Sequence, residues 1–350
     1  MLRPSLADQL RRGGRRFAQW RRGVKHRFGW LAPLHVALYG GYGNGRDVLL
    51  RGRVLEEHPG AEPGPNDARF SNLRRSWDQF ESDEVPGVQL RLELGGSSSE
   101  VVSDEDGFFF ARLRLPEPAP AGWLPVRAHV TDVPYPTNAL PSAESAVLIP
   151  SERARFGVIS DIDDTILRTH VSNKAKMLYV TLLGNALTRR SFEGTRELYR
   201  GLARAGAEAP FFYVSQSVWN IFPLLEQFIR EQQLPRGPLL LRQVRLLGDP
   251  RAVPHKPAAI AHLLETYPQL PFLLIGDSGE RDLDVYLDAA RRYPGRIRGI
   301  LIRNVSRVRR AEALRRLAAE RAPNGCSARL FDDAPTAIAH CRELGLWPDS

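Results

Sequence analysis

Two aspartates two positions apart, Asp161 and Asp163, follow the apolar run Phe156-Gly-Val-Ile-Ser, and Thr165 comes next. One carboxylate at a strand tip can attack phosphorus, and a second beside it can protonate the leaving oxygen. Further along, Phe211-Phe-Tyr-Val runs into Ser215-Gln216-Ser217. A hydroxyl there, with backbone N–H groups near a helix start, can cradle a phosphoryl oxygen. His255-Lys256-Pro257 places a cation at the start of a helix, with Pro257 read as its first residue. Such a lysine can neutralise a phosphate and keep a neighbouring carboxylate ionised. Last, Leu273-Leu-Ile-Gly276-Asp277-Ser-Gly279-Glu280-Arg281-Asp282 ends another apolar run in carboxylates. Hard oxygen ligands of this kind suit magnesium, and Asp277 would complete a site begun by Asp161 and the backbone carbonyl of Asp163. Taken singly, each string has an ordinary explanation: a solvated acidic loop, a helix cap, an exposed lysine.

The elements that must position these residues alternate in type. From residue 156 onward, strands are expected at Phe156–Ser160, Phe211–Val214, Leu239–Val244, Phe272–Ile275 and Ile297–Ile302. Helical patterns lie between them at Glu193–Arg204, Ile221–Glu231, Pro257–Tyr267 and Leu283–Tyr293. This rhythm predicts an α/β fold, a parallel sheet with helices on both faces. In such sheets ligands sit at the carboxyl ends of the strands, where all four strings fall.

Upstream the pattern is β-like, with alternating runs at His35–Tyr39, Val48–Leu55, Val88–Leu94, Gly107–Leu115 and Leu124–Val130. Together they predict a β-sandwich of about 100 residues. Gly40-Gly41-Tyr42-Gly43-Asn44-Gly45 lacks the Lys-Ser/Thr of a phosphate loop and reads as a turn. Residues 68–82 fit one amphipathic helix with Phe70, Leu73, Trp77 and Phe80 on one face. The string Asp104-Glu105-Asp106-Gly107 reads as a tight acidic turn entering a strand. Pro134, Pro136, Pro141 and Pro150 mark a boundary near residue 150. Three regions are therefore expected: a basic arm over 1–27, an accessory β domain with its Pro-rich linker over 28–150, and an α/β domain over 151–350.

Composition excludes several classes. A chain of 350 residues with 43% hydrophobic and 25% charged residues is of the soluble globular kind. No apolar run approaches the ~18 residues that span a bilayer, and no apolar stretch follows the basic start as in a signal peptide. Cys326 and Cys341 form no disulfide framework or zinc motif and read as reduced thiols of a cytoplasmic protein. Charge is concentrated at the start. Residues 1–27 carry nine Arg and Lys against Asp8, a net +8 of the chain's +9, with Phe17 and Trp20 among them. Two readings of this arm stand side by side: a solvated tail, or a segment that holds the protein peripherally on an anionic membrane surface. Nucleic acid attracts the same charges, but no specific nucleic-acid partner is expected.

The four strings, in this order and each at a strand end, resemble the four motifs of haloacid-dehalogenase (HAD) phosphatases. More narrowly, Ser-Asp-Ile-Asp-Asp-Thr-Ile at 160–166 and Gly-Asp-Ser-Gly-Glu-Arg-Asp at 276–282 resemble the actin-patch-protein type of phosphatidate phosphatase, whose catalytic domain is of the lipin type. The catalytic resemblance covers about residues 150–305. Gly-Gly-Tyr-Gly and Gly52-Arg53-Val54 are similar to the N-terminal part of bacterial relatives. The resemblance implies a HAD-like Rossmannoid fold and magnesium (Mg2+) held by Asp161, Asp163, Asp277 and Asp282. It implies Asp161 as the nucleophile that becomes an aspartyl-phosphate, and Asp163 as general acid and then base. Thr165 would steady the loop and, with Ser215, Gln216 and Lys256, contact the phosphoryl group. The implied reaction is hydrolysis of phosphatidate to diacylglycerol and phosphate. Alternatives are another phosphoester substrate (a phosphoprotein, a polynucleotide end, another lipid phosphate) or a non-catalytic phosphatidate-binding module, against which the presence of Asp163 argues. The segment 166–195 is too short for a large cap domain, which favours an open site and a bulky substrate. Its apolar run Met177–Leu183 could touch lipid, although a core-facing helix is the simpler explanation.

Overall fold

The apolar runs of the second half form one six-stranded parallel sheet. The structure is a computed structural model that describes residues 33–56, 84–134, 137, 139–162, 194–243, 254–279, 281–305 and 326–348. The strands are β8 (Gly157–Ser160), β9 (Phe211–Val218), β10 (Leu239–Arg242), β11 (Phe272–Asp277), β12 (Ile297–Arg303) and β13 (Ser327–Phe331), in the spatial order β10-β9-β8-β11-β12-β13. Five helices accompany them among the described residues: α1 (Thr195–Ala205), α2 (Phe222–Glu231), α3 (His255–Thr266), α4 (Asp282–Arg292) and α5 (Ala334–Glu343).

Consecutive strand residues face opposite ways, and this is what places helices on both sides. Val158, Phe211, Leu273 and Leu301 pack with α1, α2 and α5. Their neighbours Ile159, Phe212, Leu274 and Ile300 pack with α3 and α4. The strand order reverses between β8 and β11, and a crevice opens at the carboxyl ends of strands on either side of such a switch. Asp161 follows β8 directly, and Asp277 is the last residue of β11.

The first half differs from the two-sheet sandwich expected of it. Its seven strands are β1 (Leu34–Gly43), β2 (Asp47–Glu56), β3 (Gln89–Leu94), β4 (Ser97–Val102), β5 (Phe108–Arg114), β6 (Gly122–Asp132) and β7 (Ser142–Ile149). They form a single hydrogen-bonded sheet in the order β4-β3-β6-β7-β1-β2-β5, antiparallel except where β1 meets β7. The sheet curls until its two edges approach, and Ser97 Oγ on β4 donates to the Arg114 carbonyl on β5 at 3.3 Å. Leu50, Leu90, Val126 and Val147 are among the apolar side chains enclosed by this curl.

The glycine string at 40–45 is also not simply a turn. Strand β1 runs on through Gly43, with a register shift between Leu38 and Gly41. Gly40 sits at φ +75°, a left-handed conformation that suits glycine at a bulge. A Cβ on Gly41 would collide with the Leu49 carbonyl oxygen of the paired strand. The glycines thus allow backbone to approach backbone.

The two sheets pack against each other. Phe108 and Leu148 of the first half are buried in the cores of the second. The Tyr39 ring stacks on Trp219 at 4.6 Å, and the Tyr42 ring meets Phe212 edge-on at 5.8 Å. Buried Arg53 joins both halves: it donates to the Asp106 carbonyl at 2.9 Å, to Glu84 at 2.8 Å and to Asn220 at 3.1 Å. The helix expected over 68–82, the basic arm and the Met177–Leu183 segment lie outside the described residues. Among the described residues no helix is long and apolar enough to cross a membrane.

Candidate active site

Strand β8 delivers Asp161 into the crevice. Its N–H still donates to the Ile275 carbonyl of β11 at 2.8 Å, so the sheet ladder fixes its backbone. Ser160, just before it, donates to the Asp161 carbonyl at 2.7 Å and shares a 2.7 Å hydrogen bond with the buried Tyr199 hydroxyl of α1. The tip of β8 is therefore held from both sides of the sheet.

Asp277 comes from β11 and Asp282 from the first turn of α4. One Asp282 oxygen accepts the Asp277 N–H at 3.2 Å, which ties the start of the helix to the end of the strand. The other accepts from Lys256 Nζ at 2.5 Å. Gly276 makes this possible, since a Cβ there would run into the Asp282 carboxylate and the Tyr286 ring. The loop after β11 is further held by Ser278, whose N–H donates to the Arg303 carbonyl at 2.8 Å and whose Oγ accepts from the Val305 N–H at 3.1 Å.

Lys256 is the second residue of α3, which starts at His255 behind Pro254, two residues before the expected start. Pro257 therefore stands third in the helix, where its missing N–H still removes no intrahelical bond. The lysine is only 2% exposed, and its Nζ lies 2.9 Å from Asp161 Oδ1 as well as against Asp282. A buried ammonium is tolerated only with such partners.

Asp161, Asp277 and Asp282 each bring a carboxylate oxygen within 4.8 Å of the other two. Burial first, then the charges of Asp161 and Asp277, push the Asp282 carboxyl well above the usual carboxylate range, against the pull of Lys256. Asp161 is fully buried, yet neither of its oxygens receives an aligned hydrogen bond, even with Lys256 Nζ close by. Leaving buried carboxylate oxygens unmatched is costly. A divalent cation among these three hard donors removes that cost, so the residues fit a metal.

Of the residues singled out by sequence, Asp161, Lys256, Asp277 and Asp282 come together. Ser215 is buried on β9, two positions past the residue paired with Ser160, and its Oγ accepts from the Ser217 N–H at 2.9 Å. Strand β9 continues to Val218, so Ser215 lies within the strand rather than beyond it. Gln216 beside it is half-buried. Asp163 and Thr165 lie outside the described residues. Sequence reasoning missed Tyr199, which holds Ser160, and Tyr286, whose hydroxyl donates to the Ile275 carbonyl at 3.0 Å. An aromatic residue in an apolar pattern gives no sign that its polar atom supports or borders a site. Both cysteines are free and buried, and burial pushes the Cys326 thiol up to about 11 and the Cys341 thiol up to about 12.

Comparison with known proteins bears on the segment that carries these residues. Residues 156–304 match the family described as the catalytic domain of phosphatidate phosphatase APP1. Phosphatidate phosphatase APP1 of Saccharomyces cerevisiae is 32% identical over 236 residues, which cover 64% of this chain and 39% of the yeast protein. An uncharacterized protein of Schizosaccharomyces pombe is 31% identical over 159 residues, 44% of this chain and 26% of that protein. The chain thus spans less than half the length of these relatives. Among solved structures, a carbohydrate acetylesterase from Xanthomonas citri is 10% identical, with 89% of this chain and 73% of that one covered and a TM-score of 0.30, too low to carry an argument. The resemblance to phosphatidate phosphatases of the APP1 type therefore holds.

Proposed function

We propose that the chain is a magnesium-dependent phosphatidate phosphatase of HAD type, with residues 151–350 as its catalytic domain. The observation that carries this reading is the buried, unmatched carboxylate of Asp161, set beside Lys256 and within reach of Asp277 and Asp282. Similarity to phosphatidate phosphatase APP1 supports the substrate. The parallel strand order with its switch between β8 and β11 supports the HAD-like assignment.

Asp161 is the nucleophile. Its attack on phosphorus forms an aspartyl-phosphate as the diacylglycerol oxygen departs, and water then releases phosphate. Asp163 gives the leaving oxygen its proton and later takes one from the attacking water. Lys256, 2.9 Å from Asp161, balances charge on the equatorial oxygens. Ser215 and its neighbouring N–H groups, with Thr165 and Gln216, orient the phosphoryl group. Magnesium bound by Asp161, Asp277 and Asp282, with the Asp163 carbonyl, would supply further positive charge for the phosphoryl oxygens. In this arrangement Asp282 mainly orients, since both its oxygens already accept hydrogen bonds.

Phosphate release from phosphatidate in mixed micelles, compared with a soluble aryl phosphate, tests this reading. Activity is expected with magnesium, none in EDTA, and none from Asp161→Asn. Full turnover in EDTA would sink the metal role. Hydrolysis of the aryl phosphate alone would leave a HAD phosphatase of different substrate. The arm over 1–27 is proposed as a peripheral membrane contact. Truncating it should weaken co-sedimentation with anionic vesicles and leave the soluble monoester reaction unchanged.

A further inference from the structure

A cavity of about 230 Å³ lies between the two sheets, apart from the aspartate cluster. That is the liquid volume of about eight waters. One wall is the β1–β2 region with Tyr39, Tyr42 and Arg51, and the other is strand β10, Trp219 and the first half of α3. The Gly40-Gly41-Tyr42 string that resembles no phosphate loop is part of this wall.

The lining has an uneven chemistry. Most of it is aromatic or aliphatic, and among the described residues it contains no Asp or Glu. It does contain Arg51, whose guanidinium lies between the Phe110 ring at 5.5 Å and the Trp219 ring at 5.0 Å. Among the described residues Arg51 forms no ion pair. Its charge is met only by ring faces, which replace a carboxylate poorly. Trp219 is 4% exposed, and its indole Nε1–H has no hydrogen-bond partner. Arg51 thus brings a cation to an apolar space, with the Trp219 ring beside it.

Among the described lining residues Arg51 carries the one fixed charge. His255 donates from Nε2 to the Leu240 carbonyl at 2.9 Å, and burial above all keeps its ring neutral. His262, also on α3, is held neutral in the same way, with Arg51 and Arg112 adding to the effect against Glu265. One fixed positive charge matches one negative charge. A phosphate dianion would exceed it, and a planar carboxylate suits the guanidinium fork.

We propose that this inter-sheet cavity binds a small amphiphilic monoanion, an alkyl or aryl carboxylate, with its charge on Arg51 and its apolar body against Tyr39 and Tyr42. The site is separate from the phosphatase centre and does not depend on that reading of the chain.

Calorimetric titration of the full chain in EDTA tests this with octanoate, octylammonium and octanol as probes. Octanoate should bind at one saturable site. Octylammonium should not bind, and octanol should bind at least tenfold more weakly. Arg51→Gln should weaken octanoate at least tenfold and erase its advantage over octanol. Arg51→Lys should keep that advantage in reduced form. Asp161→Asn should leave octanoate binding intact. Absence of octanoate binding, equal binding of octanoate and octylammonium, or full affinity in an Arg51→Gln protein whose melting curve matches the parent would overturn the proposal. So would loss of octanoate in Asp161→Asn, which would put the carboxylate in the catalytic crevice.

Discussion

Replacing Lys256 by Met tests the centre most directly, because methionine keeps the apolar stem and removes only the charge. In the folded chain the ammonium sits 2.9 Å from Asp161 and 2.5 Å from Asp282, with these side chains 3%, 0% and 1% exposed. Asp277 adds a third buried carboxylate to the cluster. Removing the Lys256 charge leaves those buried acids facing one another without the cation that sits between them. Breaking a buried ion pair from one side costs about 3–5 kcal/mol. For a domain of about 200 residues each kcal/mol moves the melting point by about 2–4 °C, so the expected fall is about 6–20 °C. The comparison belongs in EDTA, where no metal offsets the acids, and is read from thermal unfolding by circular dichroism. Magnesium should then restore more stability to Lys256→Met than to the parent, since it replaces missing positive charge. Turnover should fall about 10²–10³-fold, as when one oxyanion contact is removed. A variant that melts within about 2 °C of the parent in EDTA would refute the ion-pair reasoning, whatever its activity.

Gly276→Ala should raise the magnesium concentration needed for half-maximal activity, because the new methyl displaces the Asp282 carboxylate; an unchanged magnesium curve argues against a positioning role. Cys326 and Cys341, with thiols raised to about 11 and about 12, should resist a thiol reagent at pH 8 until denaturant is added; rapid labelling of the native protein counts against the burial described. Asp333 caps α5 by accepting the Thr336 N–H at 2.9 Å, which holds its carboxyl below the usual range. A carboxyl depressed by folding stabilises above its unfolded value and loses that effect as pH falls through the folded one. Asp333→Ala should therefore lower the melting point at neutral pH, with the gap closing in acid; a gap that stays constant with pH rules out the charged cap.

Strands with strong apolar runs were legible in the sequence, and strands defined by their neighbours were not. Phe211–Val214 and Phe272–Ile275 are buried on both faces, so their composition announced them. Strand β7 lies between β6 and β1, yet it begins Ser-Ala-Glu-Ser amid prolines, and only its last three residues are buried. Strand β4 is an edge strand of Ser-Ser-Ser-Glu-Val-Val whose faces are exposed or half-exposed. It is ordered by pairing with β3 rather than by propensity. The single curled sheet also escaped notice, because the sandwich pattern and the curled pattern alternate alike along each strand. For the site, the order of elements placed Asp161, Lys256 and Asp277 at one end of the sheet. What sequence could not give is distance: nothing in the spacing says that Lys256 touches an aspartate 26 positions on. The cavity beside Arg51 left no trace at all, since its walls come from strands and helices distant in the chain.

The division of labour among the three aspartates follows from their hydrogen bonds. Asp282 spends one oxygen on Lys256 and the other on the Asp277 N–H, so it joins α3, α4 and β11 into one unit. Asp277 Oδ1 turns back to the Gly279 N–H at 2.5 Å and closes its own loop. Asp161 is different: its backbone is fixed by Ile275 and Ser160, while both carboxylate oxygens lack an aligned donor. A nucleophile needs a rigid main chain and a side chain with lone pairs to spare, whereas an orienting ligand needs its lone pairs already engaged. On that ground the proposal puts the attack on Asp161 rather than on Asp277 or Asp282.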